Sequence, residues 1–366
     1  MKNAWTFITL VVMIPGLWEP GTTDRTTAPN LPVTENVFVI TTDGFRWQEL
    51  FNGADSSILF SETFTPDTGT IASLYWDSSP DERRKKLMPF FWNVLAKKGQ
   101  VFGNRKYHNK VDVANPYYIS YPGYHEIFTG TIDPEISSNR KITTTHINVL
   151  EYLAAQQRFE GKVAAFTSWD VFPYILNRTN GAFLLNSGYS NSSSETAGNP
   201  LLVDAIQNKI VLDKTATRHD ELTFLAATEY ITKFHPRIMF LGLGETDEFA
   251  HAGRYDLYLN HANQVDKMIA RLWHMVQTTP GYKDHTTFII TTDHGRGSKT
   301  GKWTSHGAFI SGSSQTWLAV IGPGIKPAGE IKEEGQFFQQ QMARTIAGIV
   351  GMEFNRESAA PPLPLR

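Results

Sequence analysis

Three apolar segments of this chain run directly into carboxylates and imidazoles, and no other feature constrains its fold as much. "NVFVITTDGFR" is apolar up to Asp43, "RIMFLGLGETDEFAH" up to Asp247 and His251, and "TTFIITTDHGRG" up to Asp293 and His294. Parallel strands in an open α/β sheet release their chains at one shared edge, and that edge is where ligands bind. The intervening segments fit such a sheet. Helices are predicted over "PFFWNVLAKKG", with Gly99 as its stop, from Ser120 to Thr129, over "NVLEYLAAQQR", from Glu221 to Phe234, from Tyr255 to Thr279, and over the closing "QFFQQQMARTIAGIVGM". Further strands are predicted at "VFGNRKYHN", "KVAAFTSW" and "WLAVIGPG", and "NSGYSNSSSETAGNP" reads as loop. Strands alternating with helices predict an α/β fold, a mostly parallel central sheet covered by helices on both faces.

Composition narrows the function classes. A chain of 366 residues suits one large α/β domain with insertions better than two equal domains. The net charge of −2, without a long run of one sign, gives no footprint for nucleic acid. The patch Arg83-Arg84-Lys85-Lys86 follows Asp81-Glu82 and reads as a solvated helix start. The absence of cysteine excludes disulfides and thiolate metal sites. Near the N-terminus, Lys2 precedes an apolar stretch from Trp5 to Trp18, broken by Pro15 and Gly16. It is shorter than the ~20 residues that span a bilayer but has the proportions of a secretory signal. Residues 1–34 are therefore expected to be signal peptide and linker, with no membrane span left in the mature chain and export to the periplasm or the exterior. Residues 35–366 are expected to form one catalytic domain with a small cap within 170–220.

Each candidate residue has an ordinary reading beside the chemical one. Asp43 precedes Gly44, and Asp-Gly is a common turn pair; Asp293 is another strand-end aspartate. Both strands end in "TTD", so both carboxylates could reach one cation. Asp247 and His251 are four apart and share a face if their segment is helical; Glu245 and Glu248 beside them read as supporting or solvated groups. His294 adjoins Asp293 and serves the same ion only through a sharp turn, which Gly295 and Gly297 permit. His306 in "TSHGAF" has little local support, and His274 and His285 read as surface residues. Ser120 has the character of a helix N-cap, a position where free N–H groups also stabilise an anion. Gathered at one edge, such carboxylates and imidazoles suit two closely spaced divalent cations, Zn²⁺ best, and a metal can ionise a nearby hydroxyl such as that of Ser120.

The order of these segments resembles the alkaline phosphatase superfamily, and most of all its nucleotide pyrophosphatase/phosphodiesterase branch. The resemblance spans about residues 37–325. It is carried by Asp43-Gly44-Phe45-Arg46, by "SYPGYHEIFTG" from Ser120 to Gly130, by Asp247/His251, by Asp293-His294-Gly295 and by His306-Gly307. Two departures stand out: serine replaces the usual threonine nucleophile, and Gly123-Tyr124-His125 replaces the branch's Asn-His-Tyr. The resemblance implies that Asp43, Ser120, Asp293 and His294 hold one metal and Asp247, His251 and His306 the other. It also implies that Ser120 attacks phosphorus to give a phosphoseryl intermediate, and that Asn139 donates to a non-bridging phosphoryl oxygen.

The implied activity is hydrolysis of a small-molecule phosphate ester, by a phosphodiesterase or nucleotide pyrophosphatase first and a phosphomonoesterase second. Arg46, Arg140, Lys141 and Lys162 are the cations available for the extra charge of a monoester. Tyr117, Tyr118, Tyr121, Tyr124, Trp169 and Phe172 could stack on a flat leaving group or belong to the core. A formylglycine sulfatase would need Cys or Ser followed by x-P-x-R, and "SYPGY" has tyrosine where that arginine belongs. A cofactor-independent phosphoglycerate mutase would need a large insertion after the nucleophile, and the stretch from Ser120 to Asp247 is short for it. A non-catalytic binding module on the same fold is disfavoured by the complete ligand set.

Overall fold

The computed structural model describes residues 1, 34–176, 181–191, 201–355 and 358–366. Apart from Met1 and Thr34, the predicted signal and linker lie outside these residues. Among the described residues eleven strands follow in chain order: β1 Asn36–Thr42, β2 Gln100–Phe102, β3 Asn109–Asp112, β4 Val163–Thr167, β5 Leu184–Ser187, β6 Ile238–Leu243, β7 Thr286–Thr291, β8 Gln315–Thr316, β9 Leu318–Ile321, β10 Gly329–Glu330 and β11 Gly335–Phe338. Eight of them form the main sheet, in the order β10-β2-β9-β7-β1-β6-β4-β5, and β11-β3-β8 form a small second sheet.

The main sheet is mostly parallel, as the strand–helix alternation predicts. β1 lies at its centre, parallel to β6 on one side and β7 on the other. Only β9 runs against its neighbours, pairing antiparallel with both β2 and β7. Successive side chains on a strand point to opposite faces, and here each face has its own core. Phe38, Ile40, Met239, Leu241, Phe288 and Ile290 pack with Tyr258, Leu259, Val265 and Leu272 of the helix Tyr255–Thr278. Val37, Val39, Ile238, Phe240 and Ile289 pack with Ile127 and Phe128 of the helix Ser120–Thr129 and with Ile346 of the helix Met342–Ile349. Helices therefore cover both faces.

Three expectations are corrected locally. "VFGNRKYHN" is not one strand: β2 and β3 are separated by a tight turn at Arg105–Tyr107, where Asn104 accepts the Lys106 N–H at 3.0 Å. The closing helix begins only at Met342; the apolar residues before it form β11, paired parallel with β3. The patch Arg83 to Lys86 is inside the helix Pro80–Leu87, and Arg84 is not merely solvated, because its guanidinium stacks 3.8 Å over the Trp92 ring. Within 170–220, β5 is the edge strand of the main sheet and the helix Leu202–Ile210 follows it.

Candidate metal centre

The ends of β1, β6 and β7 meet at one edge of the sheet, and the helix Ser120–Thr129 points its N-terminus at the same place. β1 delivers Asp43 and β7 delivers Asp293 and His294. The segment after β6 becomes the helix Glu245–His251, which carries Asp247 and His251 on one face with the His251 Nε2 3.0 Å from Asp247 Oδ2. This helix is fastened to the end of β1: Thr246 Oγ1 donates to the Asp43 carbonyl at 2.6 Å and meets Thr42 Oγ1 at 2.9 Å.

Gly44 makes the turn after Asp43 with φ +59°, and a side chain there would meet Asp247 Oδ1 at 2.6 Å and Arg296 Nη1 at 2.9 Å. The ordinary and the chemical readings of Asp43-Gly44 thus hold together: the pair is a turn, and its tightness lets Asp247 approach. The Gly44 N–H donates to Asp293 Oδ1 at 3.0 Å.

Around His294 the groups converge. Its Nδ1 lies 2.9 Å from the Gly295 carbonyl, which orients Nε2 into the cluster. From Nε2 it is 3.2 Å to Ser120 Oγ, 3.3 Å to Asp43 Oδ1, 3.4 Å to Asp293 Oδ2 and 4.0 Å to Asp247 Oδ1. Ser120 Oγ is also 3.4 Å from Asp43 Oδ1. The turn at Asp293-His294 is therefore sharp enough for both side chains to face one point. His306 stacks on His294 with ring centroids 3.9 Å apart, and its Nε2 is 3.0 Å from His251 Nε2 and 3.8 Å from Asp247 Oδ1. Its Nδ1 lies 3.1 Å from the carbonyl of Tyr118, a residue in the left-handed region at φ +53°. All seven candidates from the sequence come together. Potential ligand atoms lie within 4.8 Å of one another in two groups, Asp43/Asp293/His294 and Asp247/His294/His306. The first group is the buried floor; His251, outside both groups but 3.0 Å from Asp247 Oδ2, stands at the solvent-exposed rim beside the second.

The electrostatics call for a cation. Burial, and then repulsion from Asp247, pushes the Asp43 carboxyl well above its ordinary range. Burial and then Asp43 do the same to Asp293. Burial acts to raise Asp247 as well, but Arg296, His251, His306 and His294 together hold it well below the usual value. Burial followed by repulsion from His294 brings His306 down to about 2. Asp293 Oδ2 is buried without a hydrogen-bond partner, and a buried acceptor left this way is costly. Three carboxyl groups, the imidazoles that face them and an orphaned oxygen fit a divalent cation in both charge and donor type.

Arg296 and Asp220 were not singled out in the sequence, whereas Glu245, Glu248 and Tyr124 were, the glutamates as supporting or solvated groups and the tyrosine as a stacking or core residue. Arg296, fully buried in "DHGRG", donates to Asp247 Oδ1 and is fixed by the Trp303 carbonyl at 2.9 Å and the Thr304 carbonyl at 2.5 Å. Its place beside Asp293-His294 in sequence was the available clue. Asp220 accepts from the Gly244 N–H at 2.8 Å and the Glu245 N–H at 3.1 Å, anchoring the start of the Asp247 helix. Glu245 accepts from the Asp220 N–H and Glu248 from Thr217 Oγ1, so both support the site from behind. Tyr124 is buried beneath Asp43 and hydrogen-bonds its carboxylate.

The substrate-side candidates divide. Asn139 is exposed, and its Oδ1 accepts the Tyr121 N–H at 3.0 Å, which sets its amide next to Ser120. Arg46 is not available to a substrate: it is fully buried, paired with Glu49 and bonded to the Gly297 carbonyl at 2.9 Å. Lys162 immediately precedes β4, at the far edge of the sheet, and donates to the Phe234 carbonyl. Lys141 pairs with Asp170 at 2.7 Å, and Arg140 donates to Ser138 Oγ at 3.2 Å. Tyr121, Tyr124 and Phe172 belong to the core, while Tyr117, Tyr118 and Trp169 are half-buried.

Residues 187–350 match the family model described as Metalloenzyme superfamily. No curated protein matches the chain. Among solved structures, a putative sulfatase from Bacteroides thetaiotaomicron superposes with a TM-score of 0.58 at 11% identity, covering 90% of this chain and 74% of the other. A variant of the alkaline phosphatase PafA gives 0.56 at 11% identity, over 91% and 99%. The phosphonate monoester hydrolase of Silicibacter pomeroyi gives 0.55 at 14% identity, over 90% and 76%. The family match over residues 187–350 and the shared fold agree with the clustered ligands: over that stretch the chain is similar to the Metalloenzyme superfamily, and its fold is that of alkaline-phosphatase-like enzymes.

Proposed function

We propose that this protein is an exported, metal-dependent hydrolase of phosphate esters with Ser120 as its nucleophile. The observation that carries the reading is the position of Ser120 Oγ, at a helix N-terminus and within 3.4 Å of both Asp43 Oδ1 and His294 Nε2. Asp43, Ser120, Asp293 and His294 would hold one divalent cation, and Asp247, His251 and His306 a second; the mixture of imidazole and carboxylate suits zinc. Cations bound there would lower the pKa of the Ser120 hydroxyl and screen the carboxylates from an anionic substrate.

Ser120 Oγ then forms a bond to phosphorus as the bond to the ester oxygen breaks, and the alcohol departs. Water hydrolyses the phosphoseryl group and restores the serine. The N-terminus of the Ser120–Thr129 helix favours the developing negative charge. Asn139, whose Oδ1 is engaged by the Tyr121 N–H, directs its Nδ2 donors to a non-bridging oxygen.

A diester is the preferred substrate class, as in the nucleotide pyrophosphatase/phosphodiesterase branch that "DGFR" and "SYP…TG" resemble. The engagement of Arg46 and Lys162 elsewhere supports this, because a dianionic monoester needs added cationic donors. Arg140 and Lys141, exposed on the Asn139 segment, support the second reading, a phosphomonoesterase. Sulfate transfer is disfavoured because Tyr124, where a sulfatase has arginine, is buried under Asp43. Rates on p-nitrophenyl phosphate, bis-p-nitrophenyl phosphate and p-nitrophenyl sulfate test the reading. The diester should be the fastest; a preference for the monoester turns the assignment to a phosphatase, and a preference for the sulfate overturns it.

A further inference from the structure

We propose that His125, Asp133 and His146 form another cation-binding site, of zinc type, apart from the Ser120 cluster. His125 is buried on the helix that begins with Ser120, and its Nε2 lies 3.1 Å from His146 Nδ1. His146 Nδ1 is in turn 3.3 Å from Asp133 Oδ2, and the three atoms belong to one group within 4.8 Å. Zinc bonds of 2.0–2.1 Å in tetrahedral geometry separate neighbouring ligand atoms by about 3.3 Å, so both spacings are those of ligands on one ion.

The neighbouring contacts orient the ligands. The Glu135 N–H donates to Asp133 Oδ1 at 2.8 Å, leaving Oδ2 for the cluster. Thr129 Oγ1 lies 3.4 Å from His125 Nδ1, the nitrogen on the other side of that ring. Hydrogen bonding within the trio is a poorer solution than a cation. His146 Nδ1 faces both an imidazole nitrogen and a carboxylate oxygen, and one proton on it cannot be well aligned to both. A cation would bind the three lone pairs at once. The Asp133 and His146 side chains are 14% and 31% exposed, so solvent can supply a fourth ligand.

The consequence concerns Asn139. Asp133 and His146 bracket the segment that carries it, and His125 ties the base of that segment to the nucleophile helix. An ion here would close the segment into a short loop and hold the Asn139 amide against the Tyr121 N–H, lowering its conformational freedom. The site itself is independent of the two-cation reading of the Ser120 cluster; only its service to Asn139 rests on that reading.

The test is the metal content of the purified full chain after equilibration with zinc and removal of free ion. His146→Ala and Asp133→Asn, at partly exposed positions, should each hold one equivalent less than wild type. The same difference should persist in an Asp247→Asn background, so it reads this site whatever the Ser120 cluster retains. Cobalt-loaded protein should lose one set of tetrahedral absorption bands in His146→Ala. Limited proteolysis between residues 133 and 146 should be faster in that variant and in chelated wild type, to the same extent. Unchanged metal content and unchanged cobalt bands in both variants overturn the proposal. A loss of metal only on Asp247→Asn, with no further loss on His146→Ala, does so as well.

Discussion

Ser120 is the first residue of its helix. Ile119 occupies the N-cap position without a capping side chain of its own, and the Tyr121 N–H is taken by Asn139 Oδ1. The hydroxyl therefore does not serve the helix in the way its sequence context allowed. Ser120→Ala should lower activity by several orders of magnitude while changing stability by less than about 1 kcal/mol, read by initial rates and thermal unfolding. Retention of more than about a tenth of the rate, ~1.4 kcal/mol of barrier, would mean that another group attacks. Asn139→Ala should slow monoester and diester turnover alike, on the order of 10²-fold for a lost oxyanion donor. An effect confined to one substrate would instead assign Asn139 to recognising the leaving group. Asp43, Asp247, His251, Asp293 and His294 were legible because each ends or follows an apolar run, and parallel topology brings such ends together; Ser120 and His306 were legible through the family resemblance. Arg296, Asp220 and the role of Tyr124 were not, because their meaning lies in contacts with Asp247, Gly244 and Asp43, on segments that only the fold joins. Gly123 shows the same limit: a side chain there would meet the Asp293 carbonyl at 2.5 Å. The branch's asparagine cannot occupy this backbone, which the sequence registers only as a departure.

Among the elements, long periodic helices and the "TTD" strands were readable, and the exceptions share one cause. Strand direction and short strand pairing depend on partners far away in sequence. Nothing in "WLAVIGPG" announces that β9 runs antiparallel between β2 and β7, and the apolar "QFF" satisfies a helix pattern as well as β11. One helix–helix joint yields a pH prediction. Asp266, buried on the helix Tyr255–Thr278, accepts the Phe90 N–H at 2.7 Å and the Phe91 N–H at 2.8 Å. Burial nevertheless pushes its carboxyl up to about 6, from an ordinary 3.8. A folded-state pKa above the unfolded one means that the acid form is favoured by folding. Its contribution is complete below the unfolded value and lost as pH rises through about 6. Asp266→Asn should therefore flatten the stability profile between pH 4 and pH 7, removing on the order of 1–3 kcal/mol of wild-type loss. Denaturant unfolding of both proteins at the two pH values checks this. Parallel profiles would show that the carboxyl stays ionised throughout.

For the molecule as a whole, the sheet concentrates at one edge the charge that its core excludes. Asp43 and Asp293 are driven towards protonation by burial, then by repulsion from Asp247 and from Asp43 respectively, while Arg296 helps to hold the charge of Asp247. Folding the chain without cations must either protonate these groups or leave charge uncompensated in a dry interior, and both oppose folding. Cations that bind the folded edge and not the unfolded chain must then raise stability by mass action, by about 4 kcal/mol at a thousandfold excess over the dissociation constant. Chelation should abolish ester hydrolysis and lower the unfolding temperature by several degrees, and added zinc should restore both. The two clusters can be separated in the same experiment. Asp293→Asn removes a buried group that must otherwise be protonated or carry uncompensated charge at the floor, so it should raise the melting temperature of chelated protein while lowering that of zinc-loaded protein. His251→Ala, at the exposed rim, should weaken zinc binding and activity with little effect on the chelated protein. If chelation leaves both activity and melting temperature unchanged, the edge is held together by its own hydrogen bonds and the metal-centred reading of its chemistry falls.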